Sequence, residues 1–211
     1  MITYRIRFAK RNALVFVSHL DFAHSFTRAL KRAKIHLKYS EGFNPHPKLV
    51  FALPLSVGMT GENEYCDITI VDELSAQQVK SRLEKALTKD IEIKKVYEPD
   101  IKIGKVTSAK YIIEFDDLKP SVDEIKTVLL NPPSISKTTK SGNTKQLDIK
   151  NLIYDFDAEQ QNGKKVVYLT LAASGENYLN PELVLQSLRE AGLDISEDYS
   201  ITRTHILFSE K

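Results

Sequence analysis

The segment Tyr4-Arg5-Ile6-Arg7-Phe8 decides the fold of the first half of the chain, because apolar and basic residues alternate along it. Alternation with a period of two predicts a half-buried strand, with the arginines on the face opposite the apolar side chains. Residues 14–17, an apolar run that follows a short turn, are predicted to continue this strand or to pair with it.

The elements that follow the first strand define a topology. Ser18 or Asp21 is a suitable cap for a helix that runs to about Ala33. Strands are predicted over 49–55, 65–71 and 91–97, and a second helix, capped by Ser75, over 75–87. The order strand, helix, strand, strand, helix, strand is that of the split βαβ, or ferredoxin-like, fold.

The second half of the chain shows a similar mixture of elements. Its predicted helices are 121–130 and 181–190, and its predicted strands are 109–115, 147–157, 165–172 and 201–208. We therefore predict an α+β protein made of two tandem ferredoxin-like domains with antiparallel sheets, residues 1–103 and 104–211.

The composition excludes several classes of protein. Of the 211 residues, 42% are hydrophobic and 27% are charged, which is ordinary for a soluble globular protein. No apolar run approaches the roughly 18–20 residues of a membrane span, and the first residues lack the apolar core of a signal peptide. Cys66 is the single cysteine, which rules out an intrachain disulfide and a multi-thiolate metal site. We expect a cytoplasmic protein with no membrane partner.

Positive charge is concentrated near the N-terminus. Residues 1–60 contain ten Lys and Arg but only two acidic residues, a net charge of +8, whereas the rest of the chain carries −6. A cluster of like charges is often a solvated face. Concentration of the whole excess in one segment nevertheless favours an anionic partner, most simply a phosphate backbone.

The end of the first predicted helix carries much of this charge. Cations there stabilise the negative end of the helix dipole, which is one explanation for them. The cations are also spaced three residues apart with no acidic neighbour. The repulsion within each pair lowers the stability of the helix by a few tenths of a kcal/mol. A bound polyanion would offset that cost. The residues predicted to contact phosphates are Arg5, Arg7, Arg28, Lys31 and Arg32.

Residues 39–48, Tyr-Ser-Glu-Gly-Phe-Asn-Pro-His-Pro-Lys, are predicted to form an extended loop, because two prolines bracket a histidine. The loop offers an aromatic ring, an amide, an imidazole and an ammonium group on Phe43, Asn44, His46 and Lys48. Aromatic stacking combined with hydrogen-bonding edges is how proteins recognise unpaired bases. The alternative is a rigid crossover in which Phe43 packs in the core.

Histidines are the main candidates for catalysis. His19, beside Ser18 and Asp21, and His46 have the chemistry of a general acid or base. No HxxxH or CxxC spacing supports a metal site, and neither a glycine-rich phosphate loop nor a dinucleotide fingerprint is present. We expect no metal and no cofactor.

Several segments together resemble a known family. They are Tyr4–Phe8, Phe16-Val-Ser-His-Leu-Asp21, Arg28-Ala-Leu-Lys-Arg-Ala33, Tyr39–Lys48, Phe51-Ala-Leu-Pro-Leu-Ser-Val-Gly58 and Glu64-Tyr-Cys-Asp67. This series is similar to the radical SAM-linked (radical SAM-associated) family of uncharacterised bacterial proteins. The domain of unknown function that defines this family occurs alone or fused to a radical S-adenosylmethionine enzyme. Beyond residue 70 the resemblance is looser, and Asn180 stands where a basic residue would be expected.

The resemblance implies an accessory or substrate-presenting role near RNA processing, since genes of free-standing members often lie beside genes for an endoribonuclease and ribosomal proteins. The chain has no CxxxCxxC motif, so it cannot itself hold the iron–sulfur cluster of a radical enzyme. We expect a non-catalytic RNA-binding or accessory protein in RNA processing or translation. Two alternatives stay open. One is a metal-independent RNA-processing or RNA-modifying enzyme that uses His19 or His46, and the other is an adaptor that presents a substrate to a separate radical SAM enzyme. RNA is the expected partner, and a radical SAM enzyme or a ribonuclease is a candidate protein partner.

Overall fold

A computed structural model describes residues 1–138, 144–175 and 177–209. These residues form a mixed α+β fold with four helices and a large, mostly antiparallel sheet. None of the helices in these ranges has the length and apolar character needed to cross a membrane. The α+β class predicted from the sequence is confirmed, while the tandem ferredoxin-like arrangement stays a prediction.

The helices are α1 (His19–Arg32), α2 (Ala76–Ala86), α3 (Val122–Leu130) and α4 (Pro181–Glu190). The strands are β1 (Ile2–Lys10), β2 (Leu49–Phe51), β3 (Thr60–Ile70), β4 (Ile91–Tyr97), β5 (Val106–Phe115), β6 (Ile135–Thr138), β7 (Thr144–Leu147), β8 (Ile153–Gln161), β9 (Lys164–Ala172) and β10 (Tyr199–Phe208).

The chain divides into two compact units. Unit 1 comprises Met1–Val106 and Arg203–Lys211, and unit 2 comprises Thr107–Thr202. The predicted boundary at 103/104 lies close to the first crossing between the units, but the last residues of the chain belong to unit 1. Unit 1 holds 20 Lys and Arg against 13 Asp and Glu, and unit 2 holds 10 against 15. The excess of positive charge therefore belongs to unit 1 as a whole.

In unit 1 the strands follow the order β4-β1-β3-β10, and β2 also pairs with β3. β1 is antiparallel to both of its neighbours, with Ile6 opposite Cys66 on β3 and Val96 on β4. Helices α1 and α2 cover the face that carries Ile6. Both helices begin at the predicted serines, since Ser18 and Ser75 each accept a hydrogen bond from the third residue after them.

Aromatic rings fill the centre of the unit 1 core. Phe8, Phe22, Phe26 and Phe51 lie with neighbouring ring centroids 5.6 to 6.2 Å apart. Rings at these separations make favourable edge and offset contacts in addition to the area that they bury. They fix α1 on the sheet, and with it the cationic end of that helix.

Two of the strands predicted in the first half of the chain differ from the structure. Residues 14–17 do not form a strand, because the positive φ of Asn12 (54°) turns the chain into a short 3-10 helix, Asn12–Phe16. The strand predicted over 49–55 ends at Phe51. After it, the carbonyl oxygens of Leu53 and Pro54 accept hydrogen bonds from the Arg203 side chain, so they are not available to a neighbouring strand.

Unit 2 contains the predicted hairpin, but its first strand, predicted over 147–157, begins at Ile153 after a short 3-10 helix, Lys150–Leu152. β8 and β9 are antiparallel and are joined by Asn162-Gly163, both with positive φ, which is the pair favoured in a two-residue hairpin turn. β5 pairs with the other side of β9. Helices α3 and α4 are capped by Ser121 and Asn180.

Candidate nucleic-acid interface

A basic groove lies where the C-terminal ends of α1 and α2 meet. Arg32 and Lys34 from the end of α1, and Arg82 and Lys85 from α2, line an open volume of about 440 Å³. All four side chains are exposed. Arg32 also lines a neighbouring hollow of about 240 Å³, together with Arg28. We call these five cationic residues and the space between them the basic groove.

Acidic side chains balance little of the charge of the basic groove: the Asp72 carboxylate, which binds His36, interacts electrostatically with Arg82. The described residues that line the two volumes include no Asp or Glu. None of the five cations forms a salt bridge within the part of the chain that the structure describes. Three of them donate side-chain hydrogen bonds to neutral groups instead: Arg28 to Ser25 Oγ (2.9 Å), Arg32 to Ala86 O (2.9 Å) and Arg82 to Lys34 O (3.2 Å).

Lys34 occupies an unusual position in this groove. Its backbone is left-handed (φ 53°), and the N–H groups of Lys34 and Ile35 donate to the carbonyls of Lys31 and Leu30, which closes the end of α1. Glycine is the residue that this helix-ending position usually carries. Lysine has a less favourable backbone conformation than glycine at this position, but it places a cation in the groove.

The predicted loop is a closed hairpin. Tyr39 pairs with Pro47, the Lys48 N–H donates to Lys38 O (2.7 Å), and the Ser40 N–H donates to His46 O (2.8 Å). Phe43 is fully exposed at its tip. The alternative in which Phe43 packs in the core is therefore wrong. The flanking predicted residues, Asn44, His46 and Lys48, are exposed as well.

The predicted phosphate contacts on β1 lie elsewhere. Arg5 is 3% exposed and is bound to Asp67 through two hydrogen bonds (2.7 and 2.9 Å) and to Ile101 O (2.7 Å). Arg5 is therefore too deeply buried for a phosphate to contact it directly. Arg7 is half-buried on the sheet face opposite α1 and α2. Lys31 is exposed on α1 but is not among the residues that line the groove.

Beside His19 lies a buried cluster of charges. Arg203 binds Glu64 through two hydrogen bonds (2.9 and 2.5 Å), and Lys10 donates to Val17 O (3.1 Å). Each of the three charged side chains is less than 5% exposed. Lys10, His19 and Glu64 line a cavity of about 10 Å³, which is room for about one water molecule.

The surroundings of the buried cluster lower the pKa values of Lys10 and His19. Burial lowers the pKa of the Lys10 ammonium, Glu64 opposes that shift and Arg203 adds to it. Burial also lowers the pKa of His19, and Lys10 and Arg203 lower it further. His19 therefore stays neutral near pH 7, with its ring against the edge of Phe51 at 5.2 Å between centroids. Burial raises the pKa of the Cys66 thiol, so that thiol is not a ready nucleophile.

Among the described residues, no group of three or more His, Cys, Asp and Glu side chains is placed to hold a metal ion. His46 is exposed, and its backbone N–H donates to Ser40 Oγ (2.9 Å). His19 and His46 thus lie in different surroundings, one against the core and the other on the hairpin.

Residues 3–181 match a family described as uncharacterized protein conserved in bacteria (DUF2344). The chain belongs to this family. DUF2344 agrees with the bacterial family of unknown function that the sequence resembles, and the link to radical SAM enzymes stays a prediction. No curated protein matches this DUF2344 member.

Solved structures that are similar to this member of DUF2344 include the following two. An unknown protein from Galdieria sulphuraria is 12% identical over 98% of each chain, with a TM-score of 0.29. In the archaeal box H/ACA sRNP Nop10-Cbf5 complex, a chain is 10% identical over 99% of this chain and 49% of its own length, with a TM-score of 0.48. Both TM-scores are below 0.5, so we base no conclusion on these similarities.

The phosphate contacts predicted from the sequence of this DUF2344 member lack three residues of the groove: Lys34, just beyond α1, and Arg82 and Lys85 of α2. Arg82 and Lys85 are three residues apart on α2, a spacing that places them on one side of the helix. The sequence shows this spacing, but the acidic residue Glu84 between the two cations is typical of an ordinary solvent-exposed helix face. Only the contact between α1 and α2 shows that these cations join Arg28 and Arg32.

Proposed function

We propose that this protein is a non-catalytic RNA-binding protein that holds the phosphate backbone of a structured RNA in the basic groove. The proposal is supported by the five cations that meet at the ends of α1 and α2. Within the described part of the chain, no carboxylate lines the groove that they form. Phosphate oxygens are the natural ligands of guanidinium and ammonium groups arranged in this way.

The size of the charge distinguishes this proposal from ordinary helix capping. A helix C-terminus carries the equivalent of about −0.5 elementary charge, so two ends together need about one positive charge. Five cations leave an excess of about four. Because the groove is open and its cations lie side by side, a polymer with repeated phosphates fits it better than a single enclosed anion.

The hairpin adds a second element to the proposed contact. Phe43 offers an exposed ring on a loop that is closed by cross-hairpin hydrogen bonds, so little conformational entropy is lost when the ring is immobilised. Asn44, His46 and Lys48 supply hydrogen-bonding edges and charge beside it. We infer that this hairpin reads an unpaired base, in the way aromatic side chains recognise single-stranded parts of RNA.

The other two predictions rest on the sequence alone. A metal-independent enzyme requires His19 or His46 to reach a reacting group together with a second acid or base. An adaptor for a radical SAM enzyme requires a protein-binding surface. Neither is needed to explain the basic groove.

The experiment is RNA binding measured by fluorescence anisotropy at several salt concentrations, with total cellular RNA and then with the RNA that it enriches. Wild type is compared with Arg28→Gln/Lys85→Gln, since neither side chain bonds a helix-end carbonyl. Lys102→Gln/Lys105→Gln is the matched control, because it removes the same charge from exposed residues of unit 1 outside the groove.

Contact with about five phosphates predicts that log Kd rises with log salt at a slope of about 4 to 5. The groove variant should lower that slope by about two, while the control changes it little. Binding that does not depend on salt, or an equal effect of the two variants, would contradict the proposal.

A further inference from the structure

We propose that the sheet face of unit 1 opposite α1 and α2 binds a single-stranded nucleic acid, with bases stacked on the partly exposed rings of Tyr65 and Tyr97 beside Arg7. This inference rests on the proposed RNA-binding function and adds a second surface of different specificity. It names unpaired nucleotides as the ligand of that surface.

The strand register brings these residues together. Arg7 of β1 lies opposite Tyr65 on β3 and opposite Lys95 on β4, and the next residue along β1 on the same face, Arg5, lies opposite Tyr97. Side chains directly across neighbouring strands are about 5 Å apart at their Cβ atoms. Tyr65 therefore lies directly across from Arg7, and Tyr97 lies diagonally across from it, on one face of the sheet.

The electrostatics of this face suit a polyanion. The carboxylate of Asp67 is taken up by the two hydrogen bonds from Arg5, so it does not repel a phosphate as a free carboxylate would. The Lys95 ammonium lies over the Tyr97 ring, 5.1 Å from its centroid, and is itself exposed. Arg7 and Lys95 then give the face two positive charges beside two aromatic rings.

Arg7 also has unused hydrogen-bonding capacity. Its Nε is buried and has no hydrogen-bond partner among the described residues. A buried donor without an acceptor is unfavourable, so the protein itself gives this guanidinium no complete set of partners. A phosphate at the surface does not reach the buried Nε, but it can contact the part of the Arg7 side chain that remains exposed.

Support for the stacking geometry comes from the third ring of the face. Phe208 of β10 stands edge-on to Tyr65, with 5.4 Å between centroids, and the Arg5 guanidinium lies 5.0 Å from the Phe208 centroid. Packing of this kind holds Tyr65 in place before a ligand arrives. Base stacking on such pre-placed rings is sequence-tolerant and is typical of single-stranded nucleic-acid binding on sheets.

A single tryptophan tests the inference, because the natural chain contains none. Tyr97→Trp places one fluorophore on the face, and short single-stranded oligo(A) and oligo(U) of about eight nucleotides are titrated against it. We expect saturable quenching, with an affinity that falls about tenfold when Arg7→Gln is added. The matched control is Tyr154→Trp, since Tyr154 is an exposed tyrosine of unit 2. Its fluorescence should not change.

The outcomes separate this inference from the proposed function. Absence of quenching in a folded Tyr97→Trp protein, or equal quenching of the Tyr154→Trp control, overturns the stacking surface. Loss of salt-dependent binding of structured RNA in Arg28→Gln/Lys85→Gln is a different readout. If that loss is seen without quenching at Tyr97→Trp, the basic groove stands and this surface does not. Saturable binding of a peptide instead of the oligonucleotides would identify the face as a protein interface and also overturn the inference.

Discussion

Arg32 and Arg82 each cap the end of the other's helix. Arg32 of α1 donates to the carbonyl of Ala86, the last residue of α2, and Arg82 of α2 donates to the carbonyl of Lys34, just beyond α1. Free carbonyls at helix ends need such partners. Replacing either arginine therefore changes folding as well as charge, whereas Arg28, Lys34 and Lys85 can be changed without loss of a cap.

Lys34→Gly is expected to separate binding from stability. The substitution keeps the backbone carbonyl that Arg82 binds and relieves a left-handed lysine, so the free energy of unfolding should rise by up to about 1 kcal/mol. RNA affinity should fall, because one cation leaves the groove. Urea unfolding and RNA anisotropy measure the two effects. Lys34→Ala should lose the same affinity without the gain in stability, and equal stability of the two variants would speak against the backbone argument.

Phe43→Ala is expected to change binding without changing the fold. The ring is fully exposed, so its removal leaves no cavity and the urea midpoint should stay where it is. Affinity for an RNA stem with an unpaired base should fall by about 1–3 kcal/mol, the range for one base stacked on an aromatic ring. Affinity for a fully paired duplex should not change. An equal loss for both RNAs would mean that Phe43 does not read an unpaired base.

Glu64→Gln is expected to cost about 3–5 kcal/mol of stability, because it leaves the buried Arg203 without its counter-charge. Gly61→Ala should destabilise less, by about 1–3 kcal/mol, because a methyl group there would come within 2.6 Å of the Glu64 side chain. Both are measured by urea unfolding. Glu84→Gln, which removes an exposed carboxylate from α2, serves as control and should have little effect.

The stability of unit 1 is expected to fall in mild acid because of His19. Its pKa is lowered in the folded state by burial, Lys10 and Arg203, so the unfolded chain takes up a proton first as the pH falls. The free energy of unfolding should therefore decrease as the pH drops below about 6.5, the ordinary pKa of histidine. His19→Gln should lack this part of the loss, whereas His24→Gln, at an exposed position, should retain it. Urea titrations at pH 7.5 and 5.5 make the comparison.

Local signals in the sequence predict local structure well in this chain. Ser18 and Ser75 cap the helices that they are expected to cap, because the bond that each makes is to a residue three positions away. The cationic end of α1 follows from that helix assignment. These parts of the fold need no knowledge of distant contacts.

The features that the sequence did not reveal depend on distant partners. Arg5 has the same alternating pattern as Arg7, but Asp67 on β3 binds it and removes it from the surface. Arg82 joins Arg32 only because α1 packs against α2. The bulk of the positive charge could be placed in the first half of the chain, but the groove that it forms could not.

Arg203 belongs to unit 1 although it follows unit 2 in the sequence, and this order matters during synthesis on the ribosome. Glu64 is made early, and all of unit 2, Thr107–Thr202, emerges before the arginine that neutralises this carboxylate. Until then the nascent unit 1 lacks β10, and burial of the unpaired Glu64 is unfavourable. Unit 1, which carries the basic groove, is thus completed only after unit 2 has been translated.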